Sequence, residues 1–352
     1  MPGRPRRAAA VGALLLLLPR RAAHAANNGG GGGGGADGFR GGDFPLCSSP
    51  PYVDIRTVPP DLVVPPLLGN ASAPVAPAPG TRTYATLPGW PSPSAAYYSL
   101  YLPTDFSATR VPPFPVLIEL PGNGPYESPY GDISTGRPEQ TFLGYGLTAG
   151  RGAVWAALPM LTAGGDFDQL TWWGCASTAP AGEPPAVTPP GGGCGAATNI
   201  SASVRYIEAA VAHIVARYNG DASRVAIAGF SRGAIGVNYL GLADDRVAGL
   251  WRASVAYAHY DGQPEDAGWP YPDAGPPASF ARLKRLGARP QYIVSELNVS
   301  LAMTKPYIAS SGLDVNATFA STGFCNHNSA WALRPSPARD NLRAWWQRVV
   351  VA

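Results

Sequence analysis

Charged residues are scarce in this sequence, and no stretch of the chain concentrates them. They make up 14% of the residues, and the formal net charge is only +3. Because arginine and the acidic residues are spread along the chain, no basic face for nucleic acid is predicted. Histidine is also rare, and no close pair of cysteines or histidines has the spacing of metal ligands. We therefore expect no nucleic-acid partner, no metal and no cofactor.

Long apolar runs are missing beyond the N-terminus. The run Ala8–Leu18 has 11 residues, which is too short to span a bilayer, and it follows a basic segment of three arginines. Ala23-His24-Ala25 fits a small-x-small cleavage site. We predict that residues 1–25 are a secretory signal and that the mature chain is secreted and has no membrane partner. A transit peptide leading to an organelle lumen is the alternative interpretation.

Only four cysteines are present, and an even number in an exported chain predicts two disulfides. Cys175 and Cys194 bracket a Pro/Gly-rich loop, so we expect a disulfide that closes this loop. Cys47 would then pair with Cys325. Four Asn-x-Ser/Thr sequons are candidate glycosylation sites: Asn70, Asn199, Asn298 and Asn316.

The composition changes along the chain and predicts its domain organisation. Residues 26–92 are rich in glycine and proline, including seven consecutive glycines at 29–35, and are predicted to be a largely irregular extension. Between 93 and 352, apolar strands alternate with helical patterns. This alternation predicts one α/β domain with a mainly parallel sheet and helices on both faces. A Pro/Gly-rich insertion interrupts the domain at about 162–197.

The hydrophobic patterns predict the following elements. Strands are expected at 97–102, 114–120, 153–159, 225–229, 253–257, 291–296 and 317–321, and helices at 199–218, 234–240, 276–286, 301–310 and 339–350.

The residues Gly229-Phe-Ser231-Arg-Gly233 stand between a buried strand pattern and a helix pattern. A serine on a sharp strand-to-helix turn is the arrangement of a nucleophile elbow, where flanking side chains would clash with the strand and the helix. We therefore predict that Ser231 is a catalytic nucleophile. The alternative is an ordinary Gly-rich turn at the end of a core strand.

A serine hydroxyl needs a base that takes its proton, and the few histidines narrow the choice. His24 lies in the signal segment, and His213 lies off the apolar face of its helix. Of the other two, only His327 follows the last predicted strand, as the order serine, acid, histidine requires. We predict His327 as the base, with a turn histidine that caps the final helix as the alternative.

The acid that orients the histidine should follow a strand after the serine. Glu296 ends the strand 291–296 and is our first candidate. Asp261, after the preceding strand, is the alternative acid, and Asp314 is a weaker third. A surface carboxylate that pairs with Lys305 is the alternative interpretation of Glu296.

Backbone N–H groups should form the oxyanion hole. One belongs to Arg232, directly after the serine, and Asn123 and Gly124 follow an early buried strand in a glycine-rich loop. Arg232 could also bind an anionic group of the substrate through its side chain. Three residues are expected to line the substrate pocket: His259, Tyr260 and Trp173.

Three stretches together carry a resemblance to a known family. They are Val225–Gly236, the strand end Leu120-Pro-Gly-Asn-Gly124, and Cys325-Asn-His327 before the closing helix. Over roughly residues 95–350 the chain resembles the α/β-hydrolase superfamily. Within it, the chain is similar to secreted esterases of the feruloyl-esterase and polyhydroxybutyrate-depolymerase kind, and to exported hydrolases that carry Gly-Phe-Ser-Arg-Gly-Ala.

The resemblance implies the α/β-hydrolase fold and a serine hydrolase that cleaves small-molecule or carbohydrate-linked esters without a cofactor. Ser231 and His327 stand at the nucleophile and base positions. The chain departs from the family at the acid, because Asn298 falls where an aspartate would be equally natural, two residues beyond Glu296. A peptidase or acyltransferase with the same triad, or an inactive binding protein, is the alternative, because fold alone does not fix activity.

Overall fold

The computed structural model describes residues 52–90, 96–124, 126–128, 131–167, 199–263, 271, 273–296 and 298–352, with side chains left out at 126 and 298–300. The predictions for the signal segment, for Trp173 and for Cys47, Cys175 and Cys194 lie outside these residues. Most of the predicted insertion 162–197 also lies outside them.

Ten of the described strands form one sheet, in the spatial order β12-β11-β10-β9-β5-β8-β4-β3-β1-β2, and β6 and β7 form a separate hairpin. The strands are β1 Leu67–Asn70, β2 Ala73–Pro74, β3 Arg82–Thr86, β4 Tyr97–Tyr101, β5 Phe114–Leu120, β6 Tyr126–Glu127, β7 Ile133–Ser134, β8 Val154–Ala157, β9 Gly220–Phe230, β10 Ala253–Tyr257, β11 Gln291–Ser295 and β12 Ala317–Ser321.

The central part of the sheet is parallel, as the sequence predicts. Six strands, which lie in the order β12, β11, β10, β9, β5 and β8, are parallel to one another. Strand β4 is antiparallel to β8 and to β3. Because parallel strands end at the same edge, the loops after β5, β9, β10, β11 and β12 meet at one edge of the sheet.

Helices cover both faces of the sheet, which makes the α/β class predicted from the sequence correct. They are α1 Leu143–Thr148, α2 Ser201–Arg217, α3 Arg232–Tyr239, α4 Asp245–Ala248, α5 Pro276–Lys284, α6 Asn298–Ser310 and α7 Pro337–Trp346, and a short π-helical stretch follows at Gln347–Val351. Within the described ranges, none of the helices is both long enough and apolar enough to cross a bilayer.

The sheet has a hydrophobic core on each of its two faces, and strand β9 contributes side chains to both. Val225 and Ile227 point to one face, where α2 and α3 pack, and Ala226 and Ala228 point to the other, where α1 and α7 pack. Successive side chains of a strand alternate between its faces, so an apolar run such as this one is buried on both sides. The strand that leads to Ser231 is thereby held rigidly at the centre of the sheet.

The N-terminal extension differs from its prediction as an irregular segment that ends at residue 92. Strand β3 pairs antiparallel with β4 along its whole length, and Arg82 and Thr83 are buried. The guanidinium of Arg82 donates to the Pro138 and Glu139 carbonyls and to the Thr141 hydroxyl. This strand was missed because it is short, polar and flanked by glycine and proline, so it carries no apolar signal.

A second part of this segment lies against the loop that follows β12. The Val53 N–H donates to the Gly323 carbonyl at 3.0 Å, and the Cys325 N–H donates to the Val53 carbonyl at 3.1 Å. The Ile55 N–H donates to Asn326 Oδ1 at 2.7 Å, and the Ile55 side chain is 1% exposed. Residues 53–55 therefore act as a backbone support for the segment that leads to His327.

Candidate active site

Ser231 stands at the turn between β9 and α3, as the sequence predicts. Its backbone has φ 55° and ψ −125°, in the positive-φ region that residues other than glycine seldom adopt. Its N–H donates to the Tyr257 carbonyl at the end of β10, at 3.0 Å. The turn is thus strained, and the neighbouring strand holds it in place.

The glycines around Ser231 are required by close approaches of the backbone. A Cβ atom at Gly229 would lie 2.0 Å from the Gly233 carbonyl oxygen, and one at Gly233 would lie 2.1 Å from the Leu120 carbonyl oxygen. Neither contact is possible for a larger residue. This geometry fits the prediction of a nucleophile elbow and disfavours an ordinary Gly-rich turn.

His327 lies on the loop between β12 and a short 3₁₀ helix at Ser329–Leu333. Its Nδ1 is 2.5 Å from Glu296 Oε1, and its ring centroid is 4.6 Å from that of Phe230, the residue before the serine. Because Glu296 engages Nδ1, Nε2 is the ring nitrogen that remains for a second partner. The structure therefore brings the predicted base and the first-choice acid together beside the elbow.

Glu296 directly follows β11, and its side chain is 11% exposed. Burial on its own raises the pKa of this carboxyl group. The charge and the hydrogen bond of His327, together with a backbone hydrogen bond and the charge of His259, outweigh burial, so the pKa lies below its ordinary value. The Ser295 hydroxyl contacts the other carboxylate oxygen at 3.3 Å. A carboxylate that is ionised and held in this way can fix the ring orientation of His327.

Asp261, the alternative acid, forms its hydrogen bonds with other residues. Arg282 donates to both of its carboxylate oxygens at 2.8 Å, and the Tyr271 hydroxyl donates to Oδ1 at 2.7 Å. The side chain of Asp261 is 1% exposed. A carboxylate enclosed by an arginine and a tyrosine stabilises the loop after β10, so this geometry disfavours the alternative acid Asp261 as the partner of His327.

Two of the three residues expected in the substrate pocket fall within the described chain. His259 lies beside the base, with its ring centroid 5.4 Å from that of His327. Tyr260 is 1% exposed, and its hydroxyl donates to Gln291 in the core at 2.7 Å. This burial and this hydrogen bond disfavour Tyr260 as a residue that lines the substrate pocket.

Of the residues predicted for the oxyanion hole, Arg232 directly follows the serine, and Asn123 and Gly124 belong to a loop that approaches it. Arg232 begins α3, and burial lowers the pKa of its guanidinium to about 9. In the loop after β5, a Cβ atom at Gly122 would lie 2.9 Å from Ser231 Cβ, and Asn123 and Gly124 follow directly. The loop therefore approaches the nucleophile with its backbone, as an oxyanion hole requires.

A hairpin that the sequence analysis missed joins this loop to the base. It consists of β6 and β7, and the Ser134 hydroxyl donates to the Asn123 carbonyl at 2.5 Å. A recess beside the hairpin is lined in part by Gly122, Ser134, Phe230 and Ser329. The only sequence signal was a polar Asp-Ile-Ser segment in a region rich in glycine and proline, which predicts a turn rather than a site.

Two further observations concern groups that are not part of the serine, histidine and glutamate arrangement. Of the four cysteines only Cys325 lies within the described residues, so both disulfides, including the pairing of Cys47 with Cys325, stay predictions. No group of three or more His, Cys, Asp or Glu side chains in the described part of the chain is arranged to hold a metal ion.

The mainly parallel sheet, the serine on a strained strand-to-helix turn, and the later acid and histidine on strand-end loops define the α/β-hydrolase fold. No family model and no curated protein matches the sequence. Solved structures with similarity include an S-formylglutathione hydrolase from Agrobacterium tumefaciens, with a TM-score of 0.49 and 15% identity over 80% of this chain and 100% of that one.

Two other similar structures have lower scores. One is a ferulic acid esterase, with a TM-score of 0.45 and 14% identity over 77% of this chain and 97% of that one. The other is a thermostable esterase, with a TM-score of 0.44 and 13% identity over 75% of this chain; the match spans only 62% of the esterase. At these identities the likeness concerns the fold and leaves the activity open.

Proposed function

We propose that this protein is a serine hydrolase that cleaves carboxylic esters through Ser231, His327 and Glu296. The observation that carries the proposal is the 2.5 Å contact of Glu296 Oε1 with His327 Nδ1, on loops that meet beside a strained serine. A serine, a base and a carboxylate that orients the base are the parts that nucleophilic acyl transfer needs.

The proposed reaction has two halves. Ser231 Oγ attacks the ester carbonyl while His327 Nε2 takes the hydroxyl proton, and the carbonyl oxygen becomes an oxyanion. His327 returns this proton to the leaving alcohol, which departs as the carbon–oxygen bond breaks. Water then attacks the acyl-enzyme and gives a proton to His327. His327 passes this proton to Ser231 Oγ as the bond between the acyl carbon and Oγ breaks, so the acid is released and the serine hydroxyl is restored.

Glu296 and the backbone around the serine stabilise the charges that develop. Glu296 accepts from Nδ1–H, which keeps the proton off Nε2 before the attack and stabilises the imidazolium afterwards. The N–H groups of Arg232, Asn123 and Gly124 are proposed to bind the oxyanion. Loss of one such donor typically costs on the order of 10²–10³ in kcat. The substrate is a small-molecule or carbohydrate-linked ester.

The test is labelling by a fluorophosphonate probe, which reacts with activated serines. The folded wild type should be labelled, and Ser231→Ala should abolish labelling. Ser203→Ala is a matched control, because it removes a buried hydroxyl from α2 and leaves the elbow unchanged. Absence of labelling in the folded wild type would favour an inactive binding protein.

Substrate assays then separate the hydrolase classes. Short-chain p-nitrophenyl esters and peptide p-nitroanilides should be compared at equal enzyme concentration. Preference for the esters, lost in Ser231→Ala, supports an esterase. Preference for the anilides identifies a peptidase, and transfer of the acyl group to an added alcohol in place of water identifies an acyltransferase.

We also propose that the protein is exported, on the basis of the apolar run Ala8–Leu18 and the predicted cleavage after Ala25. The measurement is the N-terminal sequence of the protein recovered outside the cytoplasm of its source cell. An N-terminus at about residue 26 supports a cleaved signal, whereas recovery of the whole leader in the cytoplasm contradicts it.

A further inference from the structure

We propose that Asp132 is a positioning residue. It holds the backbone of His327 in a fixed position relative to the loop Gly122–Gly124 after β5, which we call the oxyanion loop. The inference rests on the proposed function, because it assigns a role around the same base. Asp132 contacts the main chain of His327 and acts on the ring only through it.

His327 needs such a support because it stands in a loop. No helix or strand includes residues 322–328, so ladder hydrogen bonds of a regular element do not fix its backbone. Instead, the His327 N–H donates to Asp132 Oδ1 at 2.7 Å, and the His327 carbonyl accepts from the Ile133 N–H at 3.0 Å. Both polar groups of the His327 backbone thus bond to two consecutive residues of the hairpin.

Asp132 is itself held in place. Its Oδ2 accepts from the Ser128 hydroxyl at 3.0 Å, and its carbonyl accepts from the Ser128 N–H at 3.0 Å. The residue is 7% exposed. One carboxylate oxygen accepts a hydrogen bond from the hairpin, and the other accepts one from the base loop, residues 322–328. The carboxylate therefore has little freedom to rotate.

The same hairpin reaches the loop on the other side of the nucleophile. Two residues beyond Asp132, the Ser134 hydroxyl donates to the Asn123 carbonyl at 2.5 Å. The hairpin therefore fixes the base loop through Asp132 and the oxyanion loop through Ser134. Because misplacement by about 1 Å can cost on the order of 10²-fold in rate, a shared support of this kind affects kcat directly.

The experiment compares Asp132→Ala, which removes the acceptor, with Asp132→Asn, which keeps a side-chain oxygen of the same reach. Ser203→Ala is the matched control, since it removes a buried hydroxyl of α2 that donates to the Leu161 carbonyl and leaves the bond from His327 to Asp132 in place. With a p-nitrophenyl ester, Asp132→Ala should lower kcat by about 10- to 100-fold while KM stays nearly constant. Asp132→Asn should recover most of this loss, and Ser203→Ala should resemble the wild type.

A second readout does not depend on turnover. The Nδ1 proton of His327, hydrogen-bonded to Glu296, should give a low-field proton NMR signal that is absent in His327→Gln. Asp132→Ala should weaken or broaden this signal, and Asp132→Asn should retain it. If the wild type hydrolyses no ester and resists the fluorophosphonate, the proposed function fails, while this signal still reports whether Asp132 positions His327.

Two results would overturn the inference. One is an Asp132→Ala protein with wild-type kcat and an unchanged low-field signal. The other is Asp132→Asn with the full loss of Asp132→Ala, which would make the charge of Asp132 the determinant. If Asp132→Ala does not fold, Asp132→Glu replaces it: this variant keeps the charge but displaces the acceptor, and it should lower kcat with KM preserved.

Discussion

Two acidic residues follow neighbouring strands of the sheet, and their partners differ completely. After β11, Glu296 contacts the ring of His327, whose side chain is 25% exposed. After β10, Asp261 is enclosed by Arg282, whose side chain is 9% exposed, and by Tyr271. The first pair is open on the side of the histidine, so its proton can be exchanged with a ligand, whereas the second is closed.

The difference shows that position at a strand end is not sufficient to make a carboxylate catalytic. Arginine stays charged at any relevant pH, so a paired Asp261 has a fixed structural role. A neutral histidine can accept a proton, so a carboxylate beside its ring can orient the ring and stabilise the cation that forms. The comparison predicts separable effects of mutating the two residues: loss of rate at Glu296 and loss of stability at Asp261.

The largest expected effect is that of Glu296→Gln. The amide keeps the size of the side chain but no longer selects the productive tautomer of His327 or stabilises its cation, so kcat/KM should fall on the order of 10⁴-fold. Initial rates with a p-nitrophenyl ester and the rate of fluorophosphonate labelling measure this loss. A folded Glu296→Gln protein with near wild-type rates would remove the distinction between the two carboxylates.

Asp261→Asn should affect stability instead. It leaves the buried Arg282 guanidinium without its charge partner, and breaking a buried pair in this way costs about 3–5 kcal/mol. Urea unfolding measures the cost, and labelling of the protein that remains folded should proceed at close to the wild-type rate. The double variant Asp261→Leu/Arg282→Met is the control, because it removes both charges and should be less destabilised than Asp261→Asn.

A third carboxylate, Glu119 on β5, sharpens the comparison because neutral N–H donors surround it. It accepts from the N–H groups of Leu143 and Gly144 and from Trp155 Nε1 at 2.8–3.1 Å. Burial raises the pKa of Glu119 to about 7, although these hydrogen bonds and the charge of Arg82 act in the opposite direction. The pKa of Glu296 beside His327 is thus lowered, whereas the N–H donors around Glu119 and the charge of Arg82 together do not offset its burial.

The raised pKa of Glu119 predicts a pH dependence of stability, which is the smallest of the three effects. Between pH 4.5, the ordinary value, and about 7, the folded protein keeps a proton that the unfolded chain has lost. The contribution of Glu119 therefore becomes less favourable as pH rises through this range and is constant above it.

Glu119→Gln cannot titrate, so the free energy of unfolding from urea titrations should decline less between these pH values than in the wild type. Glu208→Gln, at the ion pair with Arg246 on the surface of α2, is the control for a general loss of one carboxylate. An equal slope in wild type and Glu119→Gln would contradict the assignment of a raised pKa to Glu119.

The sequence predicts the central sheet and much of the candidate site for a physical reason. Ser231, Glu296 and His327 each follow an apolar strand, and parallel strands bring their carboxyl ends to one edge. The choice between Glu296 and Asp261 was open in the sequence, because both follow strands. Only the structure could decide it, since the decisive partner of Asp261, Arg282, comes from a helix rather than a strand end.

The elements that were missed depend on contacts between distant residues. Helix α1 has six residues and two glycines, so its sequence predicts a loop; a Cβ atom at Gly144 would lie 2.2 Å from the Trp155 ring. Likewise, Asp132 and His327 are 195 residues apart. Neither residue is part of a periodic pattern, so propensity and spacing could not predict their contact.

The backbone contacts of residues 53–55 with residues 323–326 have a consequence for biosynthesis. A ribosome makes residue 53 early and residue 327 late. Residues 53–55 therefore cannot make their contacts with residues 323–326 until synthesis is almost finished. A nascent chain can build most of the sheet and even the serine turn before this loop emerges. Under the proposed function, Ser231 would therefore gain its base only after residue 327 has been made, late in the synthesis of the chain.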